Sequence, residues 1–488
     1  MMKKYLILLI LPFFLFSCDK WLDISPEDQV DEKVLFETGT GYRNALNGVY
    51  NQISDPDMYA QQMTWGFVDV LSQYYDMYSL GYSDVYRKHV SRYEYDNSGV
   101  KSILDGMWSK GYKGIANCNN IISNIEKENG SKFPGGELEK DLIKGEALAL
   151  RAFIHFDLLR LFSPAPSVDI STPYLPYCDV YPSILTNAET TESFLDKVIT
   201  DLNEAKTLVA KFDTIPENIG NLHYGKAIEA ENGHNSTDLS RDLFYSFRTF
   251  RMNYYAITAV LSRVYNYSGA LDLAYNEAKE VFDAEFPDGG KLYGFTSDAG
   301  TAKQYQGVLF ALNNKKLTEN FETYYTGGKK LLCINNVDYV FENEKFDVRY
   351  SFLKEVGTGY WKNYVSEKYI KSADNSTTAT ITDELIPIIR YSELHYIAGE
   401  YLYSIGETDK AIDMLKDVRI ARRVPNDLPE KVTSMDDYKR ELLRDAKREF
   451  IGEGQLFYMY KRFNIKPDYY MTDENFVMPI PDSEAVSL

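Results

Sequence analysis

The stretch MNYYAITAVLSRVYNYSGALDLAYNEAKEVF, Met252 to Phe282, carries two helical patterns separated at Ser268-Gly269. IIRYSELHYIAGEYLYSIGETDKAIDMLKDVRIAR, Ile388 to Arg422, repeats the design around Ile405-Gly406. On both sides of each glycine, apolar residues recur at steps of three and four, the signature of a helix, a tight turn and a second helix returning along the first. Ser262, Gly269 and Ala274 stand seven and five residues apart, and Gly399, Gly406 and Ala411 keep the same spacing. Small residues at the outer positions let antiparallel helices approach closely, while the central glycine supplies the positive φ of the turn. Each stretch predicts a helical hairpin.

Working outward, Lys144 to Phe162 has Ala147, Leu150, Ile154, Leu158 and Leu161 on one face and stops at Ser163-Pro164, where proline forbids continuation. Ser193 to Val209 shows the same period behind the cap candidates Thr190 and Thr191. These two predict a third hairpin with a long, Pro-punctuated insertion, and further helices are expected over Gly41–Ile53 and Leu104–Glu126. The spacing resembles the tetratricopeptide repeat, whose units bury their apolar faces only by stacking on neighbours. Residues 54–103 and 283–384 do not follow the helical period. They are rich in Gly, Asp, Asn and Tyr and read as loops, short helices and a little strand, including Leu331–Ile334 and Val337–Phe341. The expected fold is mainly α, a tetratricopeptide-like helical-hairpin scaffold with a large irregular, loop-rich ligand-binding region. Helical repeats fall at approximately 41–53, 104–212, 251–282 and 385–463 of a single domain over 41–488.

At the start, Lys3 and Lys4 precede an apolar run from Tyr5 to Phe16, too short to span a bilayer of roughly 30 Å but suited to a signal peptide. The run ends at Leu15-Phe16-Ser17-Cys18, which reads as a lipobox. Residues 1–17 are expected to be removed, Cys18 acylated, and 18–40 left as a lipid-anchored linker. No other apolar run has transmembrane length, so the body is expected to hang from lipid rather than span it. Cys118, Cys178 and Cys333 are an odd set that makes no disulfide framework.

The 488 residues include 72 acidic and 53 basic side chains, a net charge of -19, which repels phosphate backbones and argues against nucleic acid as a partner. Catalytic signals are weak. The five histidines are scattered without metal-ligand spacing, and His155 and His395 fall on apolar helices. There is no Gly-x-Ser-x-Gly elbow, phosphate loop or EF-hand loop, and with so many acids a carboxylate pair such as Asp55 and Asp57 arises by chance. No cofactor or metal is expected, and the protein reads as a non-enzyme.

Tyrosine is over-represented, with 40 against 26 Phe and 4 Trp. Sugars offer C–H faces that lie on aromatic rings and hydroxyls that need carboxylate, amide or guanidinium partners. Asp69, Tyr74, Tyr75, Tyr78, Tyr82 and Arg87 supply that mix in one irregular region, and Tyr360, Trp361 and Asn363 in the other. Tyrosines within the hairpins, such as Tyr254 and Tyr401, are read as packing residues.

Several blocks together resemble the SusD/RagB family: Cys18-Asp19-Lys20-Trp21-Leu22-Asp23, the helix Gly145–Phe153 running into Phe156–Phe162, Arg448-Glu449-Phe450-Ile451-Gly452-Glu453-Gly454, and the closing Pro479–Glu484. The chain departs from the family where Leu456 and Met459 replace a usual Arg and Asp, an exchange of both members of an ion pair that is neutral or stabilising. The resemblance implies an outer-membrane, surface-exposed lipoprotein of Bacteroidota that binds glycans or their fragments and caps a SusC-like TonB-dependent transporter. Its ligand contacts would come from the two non-repeat regions. RagB-type relatives imply oligopeptide uptake as an alternative, and a purely structural adaptor is a third reading.

Overall fold

The computed structural model describes residues 32–484 apart from 235–241, 296–300, 327–330, 343–344, 357–361, 375 and 425–427. Cys18 and the expected leader lie outside the described residues. Thr38 opens the first long helix, α1 (Gly39–Ile53), by accepting a hydrogen bond from the Gly41 amide at 3.1 Å. It is followed by α2 (Ser98–Ile125), α3 (Gly136–Phe162) and α4 (Thr191–Asp213). The Thr190 hydroxyl caps α4 through the Ser193 amide at 3.1 Å. The insertion between α3 and α4 holds a two-stranded ribbon, β1 (Pro173–Pro176) with β2 (Ala188–Thr190).

The two hairpins that fix the fold are α5 (Tyr254–Ser268) with α6 (Leu271–Phe282), and α7 (Tyr391–Ser404) with α8 (Thr408–Ala421). Gly269 and Gly406 turn them with φ of 91° and 84°. Neighbouring units stack, α4 against α5 and α6 against α7, which buries the second face that a lone hairpin would leave wet. The small residues act as their spacing predicts. A Cβ at Gly399 would stand 3.2 Å from the Ala411 carbonyl oxygen and 2.0 Å from the Tyr438 hydroxyl. At the matching place in the other hairpin, Ser262 donates its hydroxyl hydrogen to the Ala274 carbonyl at 2.8 Å. The third hairpin repeats the device with Gly145, whose Cβ would meet the Ala205 carbonyl oxygen at 3.1 Å and Val209 at 2.7 Å.

Four more strands complete the fold: β3 (Val308–Asn313), β4 (Leu353–Val356), β5 (Asn363–Ser366) and β6 (Leu385–Arg390), with β3 paired to β6 and β4 to β5, all antiparallel. Ile388 and Ile389, expected in a helix, belong to β6. Pro387 favours extended backbone before it, and all six strand residues are buried, so no alternation marks them as a strand. Val337–Val340 is a helical turn capped by Asn336 rather than a strand. Leu331–Ile334 contributes only isolated bridges at Cys333 and Ile334.

Buried ion pairs tie the layers together. Arg263 donates to both Glu393 oxygens at 2.6 and 2.7 Å and to the Ile388 carbonyl, joining α5 to the start of α7. The bidentate geometry offsets the desolvation of both charges. The block Arg448–Gly454 links α9 (Met435–Glu449) to α10 (Leu456–Phe463) and is the densest such centre. Glu449 receives Arg349, Arg390 and Arg422, while Glu453 receives Lys368 and Arg390. Burial alone would raise the Glu449 pKa, but the guanidinium groups of Arg422, Arg390 and Arg349 hold it well below the usual carboxylate range. Leu456 is fully buried and Met459 packs against the same core, consistent with the loss of both charges at those positions.

Candidate ligand-binding face

The first Tyr-rich segment splits into an inner and an outer set. Asp69, Tyr74 and Tyr75 are buried, so the reading of these three as ligand contacts is corrected. The Asp69 carboxylate accepts the Gly452 and Gly454 amides at 2.8 and 3.0 Å, clamping the turn after α9. Burial pushes its pKa up, and the two amides oppose that shift. Tyr74 donates to the Lys447 carbonyl at 2.8 Å, and Tyr75 points its hydroxyl at Asp69 from 3.4 Å. All three side chains therefore already have internal partners. The acids of this segment that stay nearer the surface act locally: Asp76 caps the turn carrying Tyr78 and Asp84 caps the one carrying Tyr86.

The outer set is Tyr78, Tyr82 and Arg87. The tyrosines are 85% and 79% exposed, far more than packing residues would be. The Arg87 guanidinium lies 5.3 and 5.5 Å from their ring centroids and is oriented by donating to the Leu80 carbonyl at 2.7 Å. Two exposed aromatic rings that share one oriented multiple donor match what the hydroxyl edge and apolar face of a saccharide require.

Backbone pairing brings the two irregular regions together although they lie far apart in sequence. Tyr75 bridges Ile334, the Asp76 amide donates to the Cys333 carbonyl at 2.8 Å, and the Leu331 amide to Ser79 at 3.2 Å. The Ile334 amide in turn donates to the Tyr364 carbonyl on β5 at 2.7 Å. The first cluster and the β4–β5 hairpin thus flank one short run of chain. Asn363 sits on β5, half-buried and paired with Val356, whereas Tyr360 and Trp361 lie outside the described residues. Tyr325, under the Lys354 ammonium at 5.1 Å, joins this neighbourhood. Its only signal in the sequence was the doublet Tyr324-Tyr325.

His155, His395 and Cys118 point inward. His155 accepts the Cys178 amide at 3.0 Å and donates to the Arg151 carbonyl at 2.9 Å. Burial holds its pKa well below the ordinary value, and pulls His395 down to about 4. Cys118 is buried, its thiol pushed up to about 12 by that burial. Among the described residues no group of three His, Cys, Asp or Glu side chains is arranged to hold a metal ion, and no helix is long and apolar enough to cross a membrane.

The architecture defines a stack of helical hairpins carrying a loop-built face. Residues 20–217 match the SusD-like family described as starch-binding, associating with the outer membrane, and 263–484 match the SusD family. The chain belongs to the SusD/RagB family. No curated protein matches it in sequence. Among solved structures it is similar to a SusD superfamily protein of Bacteroides thetaiotaomicron, at 22% identity and TM-score 0.66 over 92% of this chain and 98% of that one. It is also similar to surface glycan-binding protein A of the same organism, at 15% identity and TM-score 0.64 over 93% and 98%. A SusD-like carbohydrate binding protein of Bacteroides vulgatus aligns at 15% identity and TM-score 0.63 over 92% and 96%. At these identities the likeness speaks for the fold.

Proposed function

We propose that this protein is a non-catalytic lipoprotein of the outer cell surface, anchored through Cys18, that binds glycans or glycan fragments and passes them to a SusC-like TonB-dependent transporter. The observation that carries the reading is the pair Tyr78 and Tyr82, largely exposed to solvent and both beside an Arg87 held by the Leu80 carbonyl. Family membership and the carbohydrate-binding proteins among its structural relatives support it. Asn363, on β5, would extend the same face, and Tyr360 and Trp361 stay in the proposed ligand set on their residue chemistry alone. The hairpin stack offers the broad surface that a stable complex with the transporter requires.

The test is a glycan array probed beside an oligopeptide library, followed by calorimetry on the hits and detergent co-purification of the transporter. Saccharide hits weakened by Tyr78→Ala support the reading. Peptide hits without saccharide hits, or a native chain that copurifies with no barrel, overturn it.

A further inference from the structure

A cavity of about 790 Å³ opens beside β4, lined by Thr301, Lys303, Gln304, Lys354, Lys371 and Asp383 among others. Neither Tyr78 nor Tyr82 reaches it. Lys303 is only 4% exposed and forms no ion pair among the described residues. Its ammonium donates to the Thr382 carbonyl and, at 2.9 Å, to the Asp383 carbonyl, and lies 5.2 Å from the centroid of the Tyr369 ring, so none of its contacts among the described residues is with a carboxylate. On the same wall the Thr301 hydroxyl is buried with no hydrogen-bond partner among the described residues. Gln304 holds φ of 47°, a left-handed conformation that a residue with a side chain adopts under constraint. Lys354 and Lys371 are exposed on the rim and pair with no carboxylate among the described residues.

Of the three lining acids, Glu367 is exposed at the rim and the other two are engaged locally. Asp383 receives the Ser372 amide at 3.1 Å, and Asp374 receives the Ser376 amide at 3.0 Å. A buried lysine with no carboxylate partner, a hydroxyl with no hydrogen-bond partner among the described residues and a basic rim share one space, while hydroxyl and amide groups fill much of the remaining wall. A buried ammonium is costly without an anion, and an anionic ligand is what would remove that cost.

We propose that this cavity binds an acidic sugar, a uronate, with its carboxylate against Lys303 and Thr301 and its hydroxyls toward the polar wall. The site adds a ligand class to the family reading and does not depend on the aromatic face. Burial pulls the Lys303 pKa down to about 7. Asp383 and Glu384 oppose that shift, and the Lys368 ammonium reinforces it. Above neutral pH the empty site therefore holds a neutral amine, and a bound carboxylate recruits a proton to it.

The experiment is calorimetry on the full chain with D-glucuronate, D-glucose and acetate at pH 6.0 and 8.5, in two buffers of different ionisation enthalpy. Glucuronate is expected to bind roughly thirtyfold more tightly at pH 6.0 than at pH 8.5, with proton uptake at the higher pH. Glucose and acetate are expected to bind at least about tenfold more weakly. Lys303→Met removes both the affinity and the proton uptake, Thr301→Val weakens binding several-fold, and Tyr78→Ala changes neither. Should Lys303→Met fail to fold, the pH profile and Thr301→Val decide the matter. Equal glucuronate affinity at both pH values, acetate binding as tightly as glucuronate, or an unaltered Lys303→Met isotherm would overturn the assignment. A Tyr78→Ala variant that loses array hits but keeps glucuronate binding separates this site from the aromatic face.

Discussion

Truncating Tyr78 or Tyr82 to alanine should reduce saccharide affinity while leaving the fold intact, and the structure sets the size of both effects. A tyrosine side chain offers 150–250 Å² when fully buried, so a sugar resting on one face covers roughly 60 Å² of it. At about 25 cal/mol per Å² this is ~1.5 kcal/mol, close to a tenfold rise in Kd for either variant. The double variant should fall short of the sum, because both rings face the same Arg87 guanidinium. Being 85% and 79% exposed, the two rings contribute little to folding, and each truncation should alter stability by no more than about 0.5 kcal/mol. Tyr74→Phe is the opposite control. It removes the donor to the buried Lys447 carbonyl, which should lower stability by about 1–2 kcal/mol with no effect on binding. Calorimetry with an array-selected oligosaccharide, read beside urea unfolding, checks all three. Single variants that both bind within twofold of the parent, or that lose over 1 kcal/mol of stability, would refute the reasoning.

Gly454→Ala places a Cβ 2.1 Å from the Met63 carbonyl oxygen at a φ of 69°, so it should cost more than about 3 kcal/mol or prevent folding; a melting curve matching the parent would show that the turn after α9 can shift. The depressed pKa values of His155 and His395 mean that the unfolded chain binds more protons below its ordinary histidine value of about 6.5. Stability should therefore fall as pH drops from 6.5 toward 4, by up to ~3 kcal/mol for His395 alone, and His395→Leu should flatten the urea midpoint between pH 7 and 5. Cys18→Ala should move the protein from the membrane fraction to the soluble one with unchanged glycan affinity, as read by fractionation and calorimetry. If it remains in membranes, the anchor lies elsewhere.

The hairpins were legible because a helix is encoded within a few neighbouring residues. The period around Met252–Phe282 and Ile388–Arg422, their glycine turns and the spacing of Ser262, Gly399 and Ala411 are all local. The repeat character and the division into helical and irregular stretches follow from the same signal. The strand β6 was missed because it is buried on both sides and its partner β3 lies far upstream, which leaves no alternation to detect. The tyrosine cluster was found, but not its two faces. Tyr74 and Tyr82 are the same residue type in the same Gly- and Asp-rich segment, and what separates them is that the Lys447 carbonyl captures the one inside the core while the other stays 79% exposed beside Arg87.

Sequence alone thus determined the helical scaffold, the expected leader and the residue chemistry available for a ligand, all of which depend on near neighbours or composition. Tertiary structure decided which side chains remain available. Asp69 is held by Gly452 and Gly454, and Lys303 is buried against the Thr382 and Asp383 carbonyls with no ion pair among the described residues, through contacts made only after distant stretches have packed. Burial sets both the accessibility of a polar group and the energy of its charge, and burial is a property of the assembled chain.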